Sequence, residues 1–140
     1  MAALMVKEIM TRDPVRMEVD TTLDRAARVM RDEDIGDVVV FDNDRLVGVV
    51  TDRDIVVRAV ADDIAPHDTT LGSVVSRDLV TVPPDATAHD AALLMREKAV
   101  RRLLVCDDKG LVGIVSLGDL AVDIDPDSVL GGISGAAPNN

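Results

Sequence analysis

Aromatic side chains are almost missing from this 140-residue chain, where Phe41 stands without a single tryptophan or tyrosine. That excludes the ring platforms on which single-stranded nucleic acids stack. Positive charge is short as well, with 15 Lys and Arg against 26 Asp and Glu and a net charge of -11, so a phosphate backbone is repelled. Nucleic acid is not an expected partner. Cys106 is the only cysteine, which rules out an internal disulfide or a thiolate cluster and points to the cytoplasm. The apolar stretch within Met1 to Met10 is short and is interrupted by Lys7 and Glu8, so neither a signal peptide nor a membrane span is expected. His67 and His89 have no partner at ligand spacing, and no metal site is expected. What the chain does have is 47% hydrophobic residues in regular Val, Leu and Ile runs, which is ample for a core.

Those runs repeat. Ile9 to Ile55 returns as Val74 to Leu120 at a constant shift of 65 positions and without a gap. Arg12-Asp13 matches Arg77-Asp78, Ala26-Ala27 matches Ala91-Ala92, Met30-Arg31 matches Met95-Arg96, and Leu46-Val47-Gly48 matches Leu111-Val112-Gly113. Register kept over that length marks the duplication of one supersecondary unit. In the first copy Leu23, Ala26, Ala27 and Met30 have helical spacing behind Thr21 and Asp24, placed as a capping box; Thr87 and Asp90 precede Ala88, Ala91, Ala92 and Met95 in the second. Val38 to Phe41 with Leu46 to Val50, and Leu103 to Cys106 with Leu111 to Val115, read as hairpins around Asp42-Asn43-Asp44 and Asp107 to Gly110. A second helix is expected at about Asp52 to Ala61 and Leu117 to Asp123. The fold class is α/β (mixed α+β), each copy running strand, helix, strand, strand, helix. The expected division is residues 1–63, a linker over 64–70, residues 71–124, and a flexible tail over 125–140.

Chemistry concentrates in Gly48-Val-Val-Thr51-Asp-Arg-Asp54 and its copy Gly113-Ile-Val-Ser116-Leu-Gly-Asp119. Each is a strand running into a helix start: the glycine admits a close neighbour, the hydroxyl sits at the N-cap, and the carboxylate follows three residues later. Free amides at such a helix start suit an anion, and the carboxylate suits a ribose diol. The same spacing is also that of a plain capping box, worth about 0.5–2 kcal/mol, and on spacing alone the cap is the commoner meaning.

The surroundings of the motif carry a resemblance. Val6-Lys-Glu-Ile-Met-Thr11 with Asp13-Pro14-Val15, the turns Asp34-Ile35-Gly36 and Val100-Arg101-Arg102, and the signature Leu-Val-Gly-Val-Val-Thr-Asp-Arg-Asp are similar to the CBS domain family, from Val6 to about Val122. Two repeats imply a Bateman module, a pseudo-twofold pair with a cleft between the repeats; a stand-alone pair of this length resembles the bacterial hypoxic-response type. The resemblance implies an adenine nucleotide (AMP, ADP, ATP or a related adenosyl ligand) as ligand, with no cofactor required. By position, Thr51 with Asp54 and Ser116 with Asp119 would meet ribose and phosphate. Thr11, Asp13, Pro14 and Val15, with Ser76, Asp78 and Val80, would border the base, near Ile35 and Val100. Arg101 and Arg102 bring positive charge where the first copy has Gly36 and Asp37, which favours phosphate there and at most one tight site per chain.

Three functions follow. The first is a regulatory sensor that signals by a change of conformation or assembly. The second is a ligand-free homodimeric interaction or scaffold protein of stress-response type, using apolar surface around Ile55-Val56-Val57 and Leu120-Ala121-Val122. The third, an enzyme, is disfavoured because no nucleophile, base and oxyanion donor converge.

Overall fold

The computed structural model describes residues 3–77 and 79–124. Asp78 and the expected tail over 125–140 lie outside the described residues. The described residues divide into two compact units, one within 15–79 and the other formed by 3–14 with 80–124. Each has its own core.

In the unit of residues 15–79, β2 (Arg16–Glu18) leads to α2 (Leu23–Glu33), then to β3 (Asp37–Asp42) and β4 (Arg45–Thr51). Leu23, Ala26 and Met30 bury one face of α2, as their spacing of three and four requires. The helix ends where Asp34 turns left-handed at φ 55°, its amide donating back to the carbonyls of Met30 and Arg31. Its start corrects the expected cap: the N-cap is Thr22, not Thr21, and no side-chain cap bond forms there. Counting one residue early moved Asp24 out of the box. β2 runs parallel to β3 and β3 antiparallel to β4, with Asn43 at φ 57° closing the hairpin in the left-handed region that asparagine tolerates. Val38, Val39 and Val40 are all fully buried, so both faces of β3 are covered.

The second helix of this copy is irregular. Four residues of α3 (Asp52–Ile55) pass into a wider π turn over Val56–Val60, closed by the Ala61 amide on the Val56 carbonyl at 2.9 Å. The segment expected as a linker folds back over the unit. The Leu23 amide donates to the Thr69 carbonyl, the Leu71 amide to the Thr21 carbonyl, and Leu71, Val74 and Val75 join the core with Leu23, Val38 and Val50.

The other unit repeats the plan with β5 (Thr81–Val82), α4 (Ala88–Lys98), β6 (Arg102–Asp107), β7 (Gly110–Ser116) and α5 (Leu117–Ile124). Thr87 caps α4 by accepting from the Asp90 amide at 3.0 Å, as expected. Ala99 ends the helix at φ 55°, the position of Asp34 in the first copy. The 65-residue shift holds in the pairing itself: Arg16 faces Val39 as Thr81 faces Leu104, and both hairpins slip register at the same place, Val40/Phe41 and Val105/Cys106.

The opening segment of the chain does not stay with the copy that follows it. After α1 (Val6–Ile9), β1 (Thr11–Arg12) pairs antiparallel with β7, Thr11 facing Ile114 and Arg12 facing Gly113. Val6 is fully buried in the core of Leu103, Val115 and Leu120. At the matching place Ser76 bridges Val49 in the unit of residues 15–79. Each opening segment therefore lies on the hairpin of the other copy.

Candidate functional site

Each signature is built at the end of a hairpin. β4 delivers Thr51 to the start of α3, where the Asp54 amide donates to Thr51 Oγ1 at 3.0 Å and the Thr51 amide donates to Asp54 Oδ2 at 2.9 Å. β7 delivers Ser116 to α5 in the same way, with the Asp119 amide on Ser116 Oγ at 3.1 Å and the Ser116 amide on Asp119 Oδ2 at 2.9 Å. Both pairs are reciprocal capping boxes, so the capping role that the spacing allows is present in both copies. It uses one oxygen of each carboxylate. Asp54 and Asp119 remain partly exposed, and an aspartate can accept further hydrogen bonds on its second oxygen.

The glycines of the signature have a definite neighbour. A Cβ on Gly48 would overlap the Ser76 carbonyl oxygen, and one on Gly113 would come within 2.8 Å of the Thr11 carbonyl oxygen and 2.5 Å of Met10 Sδ. The close approach inferred from glycine is thus made by the protein's own opening segment. Backbone of Thr11 and Ser76 is thereby held beside the strand that ends in the hydroxyl.

The expected site residues fall into two sets. Thr11, Asp13 and Pro14 lie in the same unit as Val80, Val100, Arg101, Arg102, Ser116 and Asp119; Val15, Ile35 and Ser76 lie with Thr51 and Asp54. Asp78 is outside the described residues. Arg102 faces Ser116 across the hairpin, and the Leu117 amide donates to the Arg101 carbonyl at 2.8 Å. In the other unit Asp37 faces Thr51, and the Asp52 amide donates to the Gly36 carbonyl at 3.0 Å. Ile35, Val15, Val80 and Val100 are half-buried against their own cores, Pro14 is buried, and Asp13 is exposed at φ 50°.

Arg58 escaped the sequence reading. Its Nε lies 3.8 Å from Asp54 Oδ1 and its Nη1 donates to the Val74 carbonyl at 3.0 Å, tying the signature carboxylate to the segment that leads to Ser76. The i,i+4 spacing from Asp54 was the available signal. The 65-residue counterpart of Arg58 is Asp123.

The apolar surface is narrower than expected. Val56, Val57 and Val60 are exposed, but Ile55 and Leu120 are buried in their cores. Burial pushes the Cys106 thiol up, and the neighbouring Asp107 charge adds to this. Among the described residues no group of three His, Cys, Asp and Glu side chains could hold a metal ion, and no helix is long and apolar enough to cross a membrane.

Comparison with known proteins bears on this geometry. The model of the CBS domain matches residues 6–60 and again 71–125. The CBS domain-containing protein YhcV of Bacillus subtilis is 37% identical over 118 residues, covering 84% of this chain and 84% of that protein. Hypoxic response protein 1 of Mycobacterium tuberculosis is 39% identical over 101 residues, 71% of each chain. A solved Hypoxic Response Protein I, which carries two coordinated zinc ions, has a TM-score of 0.71 at 33% identity, covering 84% of this chain and 96% of its own. The CBS domain pair of protein MJ0100, solved with 5-methylthioadenosine and S-adenosyl-L-methionine, shares the fold with a TM-score of 0.77 at 23% identity, covering 91% of this chain and all of its own. With two copies of one domain model, a repeat that persists in strand pairing, and twin signatures capped alike, this chain belongs to the CBS domain family, as a tandem pair.

Proposed function

We propose that this CBS pair is a regulatory module of the cytoplasm that binds an adenine nucleotide or related adenosyl ligand at its signatures, signals through conformation or assembly, and catalyses nothing. One observation carries the reading: each copy holds a hydroxyl and a partly exposed carboxylate at a strand end, with the backbone of an opening segment held against the same strand. A carboxylate can accept hydrogen bonds from a diol, and backbone N–H and C=O groups can pair with the edge of a base. That a CBS pair of the same fold holds two adenosyl compounds supports the ligand class. No cofactor is required by this reading.

The chain lacks Trp and Tyr, so natively purified protein freed of nucleic acid reveals bound adenine as absorption near 260 nm. Titration with AMP, ADP and ATP then measures affinity. Replacing Asp54 or Asp119 with Ala lowers stability through the lost cap by about 1 kcal/mol. At least one of the two must also weaken binding at least tenfold. If both variants lose stability and keep full affinity, the carboxylates are caps alone and the proposal fails.

Exposed Val56, Val57 and Val60 on one turn favour a second reading, a homodimeric interaction protein with no ligand. Sedimentation of V57D/V60D against wild type tests it.

A further inference from the structure

β1 and β2 follow one another in the chain but lie in different sheets, with only Asp13, Pro14 and Val15 between them. The segment before this link is firmly docked. The Ala88 amide donates to the Leu4 carbonyl at 2.7 Å, the Val6 amide to the Ala86 carbonyl at 2.8 Å and the Lys7 amide to the Pro84 carbonyl at 3.0 Å. Thr11 and Arg12 then pair with β7, while Leu4, Ile9 and Met10 pack with Val6 on the core of Leu103, Val115 and Leu120. Residues 3–12 are thus an arm whose partners all lie within residues 80–124. The link itself is strained: Asp13 is exposed, holds φ at 50°, and stands before Pro14, where extended backbone is favoured. A short, strained connection to a well-docked piece is the condition that invites exchange between chains.

We infer that two copies of this chain exchange these arms, residues 3–12 of each seating on residues 80–124 of the other, with Asp13 to Val15 as the hinge. Every contact of the arm is kept, because the surface that receives it is the same in either chain. Only the hinge changes, and it becomes free to extend. A short link holds its own arm at an effective concentration in the millimolar range, and a left-handed non-glycine residue in the link lowers this about tenfold. Exchange is therefore expected from about 0.1 mM upward. It also makes the second signature a joint product of two chains: the Thr11 carbonyl that abuts Gly113, on the strand ending in Ser116, then comes from the other copy. The exchange needs no nucleotide, and the exposed valines of Val56–Val60 take no part in it.

Thr11 and Ile114 are directly opposed across an antiparallel pair, at a separation that a disulfide can span, so a bond between them reports whose arm is seated. With Cys106→Ser in every chain to remove the native thiol, a Thr11→Cys chain and an Ile114→Cys chain are refolded together at about 0.5 mM and oxidised. A covalent dimer of the two is expected, whereas a chain carrying both Thr11→Cys and Ile114→Cys, refolded at about 1 µM, should close the same bond within itself. Sedimentation of wild type should show dimer rising over the same range of concentration. Asp13→Gly relieves the hinge at an exposed position and should move the half-point about tenfold higher. Circular-dichroism melts check that each variant folds. Closure of the bond in the dilute chain with no covalent dimer in the mixture would overturn the exchange. So would a dimer that forms without the cross-link and is lost in V57D/V60D. Should Ile114→Cys not fold, sedimentation decides alone: wild type monomeric up to about 1 mM, or a half-point unmoved by Asp13→Gly, sinks the exchange.

Discussion

Replacing Gly48 by alanine sets two opposed effects against each other. Alanine in a strand gains about 0.5–1 kcal/mol over glycine by restricting the unfolded chain. Against this, the added Cβ overlaps the Ser76 carbonyl oxygen, a backbone atom that cannot rotate away. That oxygen accepts from the Val49 amide at 3.3 Å, and the Ser76 amide donates back to the Val49 carbonyl at 3.2 Å. Losing both bonds amounts to about 1–3 kcal/mol, and crowding a packed site to a further 1–3 kcal/mol. The net expectation is a destabilisation of about 1–5 kcal/mol, or roughly 3–15 °C in Tm at this chain length. Gly113→Ala is the internal control: the thioether of Met10 can swing aside, and the Thr11 carbonyl oxygen at 2.8 Å is crowded less deeply than the Ser76 oxygen is at Gly48, so it should be the milder of the two. Urea unfolding followed by circular dichroism at 222 nm measures both. The reasoning is refuted if Gly48→Ala lies within 0.5 kcal/mol of wild type, or if Gly113→Ala is the more damaging.

Other substitutions test other parts of the fold. Ala99 sits at φ 55°, so Ala99→Gly relieves left-handed strain of about 1–2 kcal/mol against an entropic loss of about 0.5–1, and a small rise in Tm is expected. Leu71→Ala removes a fully buried side chain and should destabilise by about 2–5 kcal/mol, far more than a substitution in a passive connector. Because burial raises the Cys106 thiol, its alkylation rate at neutral pH should fall below that of a free cysteine and climb only at more alkaline pH; an accelerated rate would contradict the burial.

Local periodicity made much of this legible. The helical spacing of Leu23, Ala26 and Met30 and the paired apolar runs of each hairpin are short-range patterns, and the 65-residue repeat allowed each copy to check the other. The cap of α2 was misplaced because two adjacent threonines, Thr21 and Thr22, offer the same chemistry. The π turn was not visible, since Val56 to Val60 carry no breaker residue. Gly48 and Gly113 announced a close approach without naming what approaches. The partners of Thr11 and Ser76 are long-range, and nothing in the local sequence of either strand specifies them. At the site, the hydroxyl and carboxylate pairs were readable from spacing, while Arg58 became visible only through its distances to Asp54 and Val74.

The pairing of Thr11 with Ile114 also bears on how the polypeptide matures. Residues 15–79 form one continuous stretch and can close as soon as they leave the ribosome. The segment around Val6 must wait for residues about a hundred positions later, with Val6 uncovered until Leu103, Val115 and Leu120 exist. Closing so wide a loop is the slow step expected of a non-local contact, so truncation after β6 should leave a nascent chain half finished and prone to aggregate.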